Sequence, residues 1–241
     1  MTSHIRSVVY PAVVETTVES SVDKLRLRAK GLPRGLRELS TSLRLLGELR
    51  ERGWQRSVRE RRAVDGRGQP QPWMNYGTIS MLDGFIEPDT RIFEYGSGLS
   101  TVWLARRSRH VHAVEHDQFW FDSYLTHAGR SGAKVRHVPS TGDKFYAPGD
   151  DPYVNAPASA GEQAFDLIII DGWARCSCLL RAPDLLAPDG MIVLDDADWN
   201  AFDVPKKIVS EELGFAEIVV TGPRPTTGHF TTTGVYLRSR R

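Results

Sequence analysis

Carboxylates and glycines gather at two places in this chain of 241 residues, each directly after a short β-rich run. The first is Glu94-Tyr95-Gly96-Ser97-Gly98. Arg91 to Tyr95 reads as a strand, and the apolar spacing Leu99, Val102, Trp103, Leu104 predicts a helix right after the glycines. Gly96 and Gly98 let the backbone turn sharply and approach a ligand, while the free N–H groups of the new helix attract a carboxylate or phosphate. A nucleotide-like ligand suits that geometry, though any strand-to-helix turn can use two glycines. A dinucleotide fingerprint wants a third glycine three residues after Gly98; Thr101 stands there, which disfavours NAD. His110 to Glu115 reads as a second strand, and its closing acid lies about 20 residues past the turn, where a carboxylate would receive a ribose diol.

The second cluster is Asp171, which closes the run Phe165-Asp-Leu-Ile-Ile-Ile, with Asp195 and Asp196, which close Met191-Ile-Val-Leu after a Pro188-Asp-Gly190 turn. The carboxyl ends of neighbouring strands are where ligands bind in open α/β sheets. Three acids close together repel unless a cation joins them. Mg²⁺ prefers oxygen ligands, leaves positions for substrate and can lower the pKa of a bound hydroxyl, so Asp171, Asp195 and Asp196 are candidate metal ligands. The plainer reading is that one of the Asp195-Asp196 pair caps the following loop and the other is solvated. Asp171, Asp198, His229 and Asp143 are the candidate proton acceptors, and His229 reads equally as an exposed loop residue.

These groups must be carried by alternating strands and helices. Trp73 to Leu82 reads as a helix leading into the first strand, with Trp73 and Tyr76 either lining a pocket or packing in the core. His116 to Gly129 reads as a helix and Ala133 to Val138 as a third strand. Ser140 to Ala164 is a long Pro-, Gly- and Asp-rich loop of the kind that is functional or mobile. Leu167 to Asp171 is a continuous apolar run, as a strand buried on both faces should be. Ala174 to Leu186 and Val204 to Leu213 read as helices, and Glu217 to Thr221 with Thr232 to Leu237 as a closing antiparallel hairpin.

Over roughly residues 72–238 the chain resembles the class I S-adenosylmethionine-dependent methyltransferases, through Glu94-x-Gly96-x-Gly98, Glu115 and the two apolar strands with their terminal aspartates. The resemblance implies an α/β, doubly wound, seven-stranded and mostly parallel sheet. It implies that the turn from Glu94 through Tyr95, Gly96, Ser97 and Gly98 passes under the methionyl part of S-adenosylmethionine. Ser100 or Thr101 would meet the cofactor's carboxylate, Glu115 the ribose with His116 beside it, Ser140 the adenine, and Asp171 the transfer site. Asp171 with Asp195-Asp196 resembles the sugar-modifying metal-dependent O-methyltransferases, and Asp171-Gly-Trp173 their catechol branch. The lysine base that follows the Trp in the catechol branch is Ala174 here, and the aspartate base of the sugar branch is Trp173.

Composition is that of an ordinary globular protein, 40% apolar and 25% charged with a net charge of +1, and argues for no particular partner. The charge is uneven: residues 1–72 carry 15 Lys and Arg against 8 Asp and Glu, and the remainder 16 against 22. We therefore read residues 1–71 as a basic extension and 72–241 as the cofactor-binding domain. In the extension, Leu36, Leu39, Leu43, Leu46 and Leu49 recur at helical steps over Gly35 to Arg62, an amphipathic helix suited to its own domain or a second subunit. Asp65 to Pro72 reads as a linker. Cys176 and Cys178, one residue apart, read as reduced packing residues. No run reaches membrane-spanning length, and no signal segment precedes the domain, so a cytoplasmic location is expected. The expected activity is O-methylation of a small hydroxylated molecule, with no membrane partner and nucleic acid disfavoured. The alternatives are N-methylation of a small molecule or protein, and a cofactor-binding module without turnover.

Overall fold

The apolar strands alternate at period two, and each half of the alternation finds its own core. A computed structural model describes residues 34–122 and 131–238, with backbone alone for 34–38, 40 and 41. The second half of the helix expected over His116 to Gly129 lies outside those residues. Seven strands form one sheet: β1 (Arg91–Tyr95), β2 (His110–Glu115), β3 (Lys134–His137), β4 (Phe165–Ile170), β5 (Leu186–Leu194), β6 (Phe215–Pro223) and β7 (Phe230–Arg238). Their order is β3-β2-β1-β4-β5-β7-β6, with β7 antiparallel to β5 and β6 and the other pairings parallel. Phe93, Tyr95, Ile168, Ile170, Ile192 and Leu194 face one core, and Ile92, Leu167, Ile169, Met191 and Val193 face the other. Burial on both faces is why these strands read as unbroken apolar runs.

The chain divides into two compact units, Met1–Glu48 and Leu49–Arg241. Helix α1 (Arg34–Glu51) supplies the described part of the first, and its Leu39, Leu43, Leu45 and Leu46 are exposed. The helix expected to run unbroken from Gly35 to Arg62 stops at α1 and resumes as α2 (Trp54–Glu60). Gly53 makes the break: its φ is 90°, and a Cβ there would lie 2.2 Å from the Val64 carbonyl oxygen. The supposed linker is a closed turn. Val64 bridges to Pro70, the Ser57 hydroxyl bonds the Val64 backbone at both N and O, and Asp65 Oδ1 accepts from the Arg67 and Gln69 N–H groups.

Helix α3 (Tyr76–Phe85) begins at Asn75, whose side chain accepts from Thr78 N and donates to Val220 O and Thr233 Oγ1, tying the helix to the closing hairpin. Helix α4 (Leu99–Ala105) follows the glycine turn, and α5 (Arg175–Arg181) follows β4. Helix α6 (Asp203–Lys207) passes into a π-helical turn over Ile208–Glu212, in place of the single α-helix expected there. The long loop from Ser140 to Ala164 is packed: Tyr153 and Val154 are buried, the Tyr95 hydroxyl donates to Val154 O, and Asp151 collects the Ser140 and Thr141 hydroxyls with the Thr141, Tyr153 and Val154 N–H groups. Cys176 and Cys178 are free thiols in the core, as expected.

Candidate active site

Register alone assembles the site. Tyr95 pairs with Val114 and with Ile170, and Ile170 pairs with Leu194, so the next residues, Gly96, Glu115, Asp171 and Asp195, stand in a row at the carboxyl edge of the sheet. All four line one cavity of about 620 Å³, within the usual range for small-molecule sites.

One half of the cavity is built by the glycine turn. Gly96 has φ 98°, and a Cβ there would come within 3.0 Å of Gly172, so the backbones of the two strand ends can approach only through glycine. Thr101 is buried behind the turn, accepting from Gly98 N at 3.0 Å and donating to Glu94 Oε2 at 2.5 Å. Glu94 is itself buried; burial raises its pKa to about 8, against the opposing pull of the Ser100 and Thr101 hydroxyls. Glu115 holds the neighbouring strand end, accepting from Ser97 N (3.0 Å), His116 N (2.9 Å) and Asp117 N (3.0 Å). His116 stacks on Trp173 with ring centroids 4.5 Å apart, and Trp120, its Nε1 bonded to Ser97 O, completes that wall.

The other half is an ion-pair network. Arg175, 8% exposed at its side chain, donates to Asp171 Oδ1 at 3.0 Å and to the Asp171, Gly172 and Asp195 carbonyls, with Nη1 3.5 Å from Asp196 Oδ2. Arg224 Nη1 and Thr231 Oγ1 donate to Asp196 Oδ1 at 3.1 and 3.0 Å, and Thr233 Oγ1 to Asp195 Oδ1 at 2.9 Å. Burial raises the pKa of Asp171 to about 6, opposed by Arg175 and aided by Asp196. Burial, with the charges of Asp171 and Asp196, pushes Asp195 well above the usual carboxylate range. Asp196 (φ 51°) and Ala174 (φ 47°) both hold left-handed backbone, a strained conformation that gathers at working sites.

No protein-family model and no curated protein matches the chain. Among solved structures, a methyltransferase from Pyrococcus furiosus is similar at 19% identity, covering 68% of this chain and 82% of its own, with a TM-score of 0.47. An O-methyltransferase from Bacillus cereus, in complex with S-adenosylhomocysteine, is similar at 17% identity over 62% and 74%, with a TM-score of 0.49. An O-methyltransferase from Streptomyces achromogenes is similar at 16% identity over 63% and 74%, with a TM-score of 0.47. The strand order with its single reversed strand decides the architecture. The chain has a doubly wound, Rossmann-like fold.

The glycine-turn half has groups that could hold S-adenosylmethionine. Glu94 is a buried carboxylate whose raised pKa marks the want of a cation, such as the cofactor's ammonium, and Glu115 Oε2 keeps acceptor capacity beyond its one backbone bond. Of the expected cofactor contacts, Gly96, Ser97, Ser100, His116 and Asp171 line the cavity, and Gly98 forms the turn. Three expected cofactor contacts do not line the cavity. The Tyr95 side chain is in the core, Thr101 braces Glu94, and Ser140 Oγ is spent on Asp151.

The aspartate set does not fit Mg²⁺. The cation that joins Asp171 to Asp196 is the Arg175 guanidinium, Arg224 takes the remaining side of Asp196, and Asp195 faces Thr233; among the described residues no group of three or more His, Cys, Asp and Glu is arranged to hold a metal. Asp195 is buried and Asp196 is paired, so the plainer reading of a loop cap and a solvated acid is replaced too. Asp198 and His229 are exposed and outside the cavity wall, and Asp143 is exposed and caps the Phe145 and Tyr146 N–H groups, so none of the three faces a bound acceptor. Sequence reasoning passed over Arg175, Arg224 and Lys144. Arg175 was findable as the cation four residues past Asp171, one position beyond the missing lysine; Arg224 and Lys144 sit in loops, where no periodicity announces them.

Proposed function

We propose that this chain is an S-adenosylmethionine-dependent methyltransferase whose acceptor is a hydroxyl of a small molecule. The observation that carries the reading is the single cavity in which Glu94, Gly96 and Glu115 share a wall with Asp171. The cofactor, when bound, supplies an electrophilic methyl group on sulfur. Glu115 orients the ribose and Glu94 the ammonium end; Asp171, ordered by Arg175 through Oδ1, takes the acceptor's proton as its oxygen attacks. A pKa of about 6 leaves Asp171 largely ionised at neutral pH yet basic enough to accept that proton. Trp73, Trp120 and Trp173 wall the cavity against water.

Calorimetry with S-adenosylhomocysteine and NAD tests the cofactor. Micromolar binding of the first is expected, and NAD binding without it would overturn the reading. A panel of phenols, sugars and amines with labelled S-adenosylmethionine then separates oxygen from nitrogen acceptors and from a module without turnover. The exposed leucines of α1 suit contact with a second copy of the chain; light scattering on Leu43→Glu should show a smaller species than the wild type if that contact forms.

A further inference from the structure

One cation of the acceptor half stands outside its ion pairs. Asp171 and Asp196 are matched by Arg175 and Arg224, and Asp195 lies buried against Thr233. Lys144 is that cation. Its backbone is fixed by the start of α5, where Ala174 N, Arg175 N and Cys176 N donate to the carbonyls of Asp143, Lys144 and Phe145 at 3.1, 3.1 and 2.8 Å. Its ammonium rests 3.5 Å from the centroid of Trp199, lines the cavity, and among the described residues forms no ion pair. A π-face satisfies an ammonium's charge only in part and none of its need for oxygen acceptors.

Arg224 has capacity to spare in the same cavity. Nη1 serves Asp196, while Nε is buried with no hydrogen-bond partner. Its guanidinium lies 5.6 Å from the centroid of Trp73, whose Nε1 is anchored on Pro225 O at 3.0 Å and whose half-exposed ring lines the cavity mouth. A flat face thus stands beside one under-used cation, and a second lines the same cavity.

Building on the methyltransferase reading, we propose that the acceptor carries an oxyanion group, a carboxylate or a phosphate, held by Lys144 and Arg224 with its flat body against Trp73. The ammonium outside the ion pairs selects the anion, the guanidinium recognises its oxygens, and the grip fixes the distance from the charged group to the methylated oxygen. Burial holds the Lys144 ammonium below its usual pKa, followed in effect by Arg175, so an arriving anion relieves a group that is short of solvent and crowded by like charge.

Benzoate, inorganic phosphate and uncharged benzamide serve as probes, titrated by calorimetry into protein with and without S-adenosylhomocysteine. At least one anion should bind saturably, about tenfold more tightly than benzamide, the size expected of one hydrogen-bonded charge pair. Lys144→Met should remove that preference and Lys144→Arg should keep it, with melting temperature and S-adenosylhomocysteine affinity unchanged. Binding of benzoate alone identifies a carboxylate and binding of phosphate alone a phosphate. No saturable anion binding, equal binding of benzoate and benzamide, or an unaltered Lys144→Met would overturn the proposal. Anion binding that survives while S-adenosylhomocysteine fails to bind would instead overturn the methyltransferase reading and leave the anion site standing.

Discussion

Three carboxylates in one cavity are set to different tasks by their surroundings. Glu115 accepts three backbone N–H bonds and stays an acceptor for hydroxyls; Glu115→Gln should weaken S-adenosylhomocysteine binding by about 1.5–3 kcal/mol in calorimetry, the usual loss for a hydrogen bond to a charged group. Glu94 is held protonated by burial up to about 8, so a ligand ammonium placed beside it favours the ionised form. Binding of S-adenosylhomocysteine at neutral pH should therefore release a proton, read from binding heats in buffers of different ionisation enthalpy, and Glu94→Gln should abolish the release. In the proposed reaction Asp171 accepts the proton. Asp171→Asn should lower kcat by about 10²–10⁴-fold while sparing cofactor affinity. Since the base must be ionised, wild-type kcat should rise with pH through about 6 and then level off.

Helix α5 is the element on which the acceptor half depends. Its first turn is capped by the carbonyls of residues 143–145, and its first residue sends Arg175 back under both strand ends. Removing that guanidinium would leave Asp171, about three-quarters buried by side chain, without its cation, while Asp196 keeps Arg224. Arg175→Ala should cost about 3–5 kcal/mol of stability, the penalty for an orphaned buried charge, seen as a lowered melting temperature. Because the network is neutralised from within the chain, excess EDTA should leave turnover unchanged; a loss restored by Mg²⁺ would reinstate the metal reading. The same dependence on neighbours explains the breaks in helices that looked continuous. Gly53 yields to the Val64 carbonyl, a contact that helical spacing does not encode.

Across the molecule, the sheet edge concentrates buried acids at the expense of stability. Glu94 has a folded pKa raised from 4.5 to about 8, so the native state holds this proton more tightly than the unfolded chain does. Its contribution is fully present below about pH 4.5 and is lost as pH rises to about 8, with a slope of up to about 1.4 kcal/mol per pH unit. Burial raises Asp171 and Asp195 as well, which adds to the same trend. Denaturant unfolding without ligand, followed from pH 5 to 8, should show stability falling, and Glu94→Gln should flatten part of the slope. No described helix is long and apolar enough to cross a membrane.

Continuous apolar runs, the glycine turn and the strand-ending acids were enough to specify a parallel core with a polar edge, because burial on both faces and positive φ each restrict residue type locally. The sequence by itself therefore placed Glu94, Gly96, Glu115, Asp171 and the Asp195-Asp196 pair on one rim. It did not decide what neutralises the acids. That depends on Arg175 folding back from α5, on Arg224 reaching in from the hairpin loop, and on Thr233 rather than a cation facing Asp195. Those partners lie between 4 and 38 residues away along the chain, and only packing brings them within reach. For the same reason Ser140 and Tyr95, expected at the rim from their order along the chain, turn their side chains to Asp151 and Val154: strand register fixes where a residue stands, and its neighbours in space fix where it points.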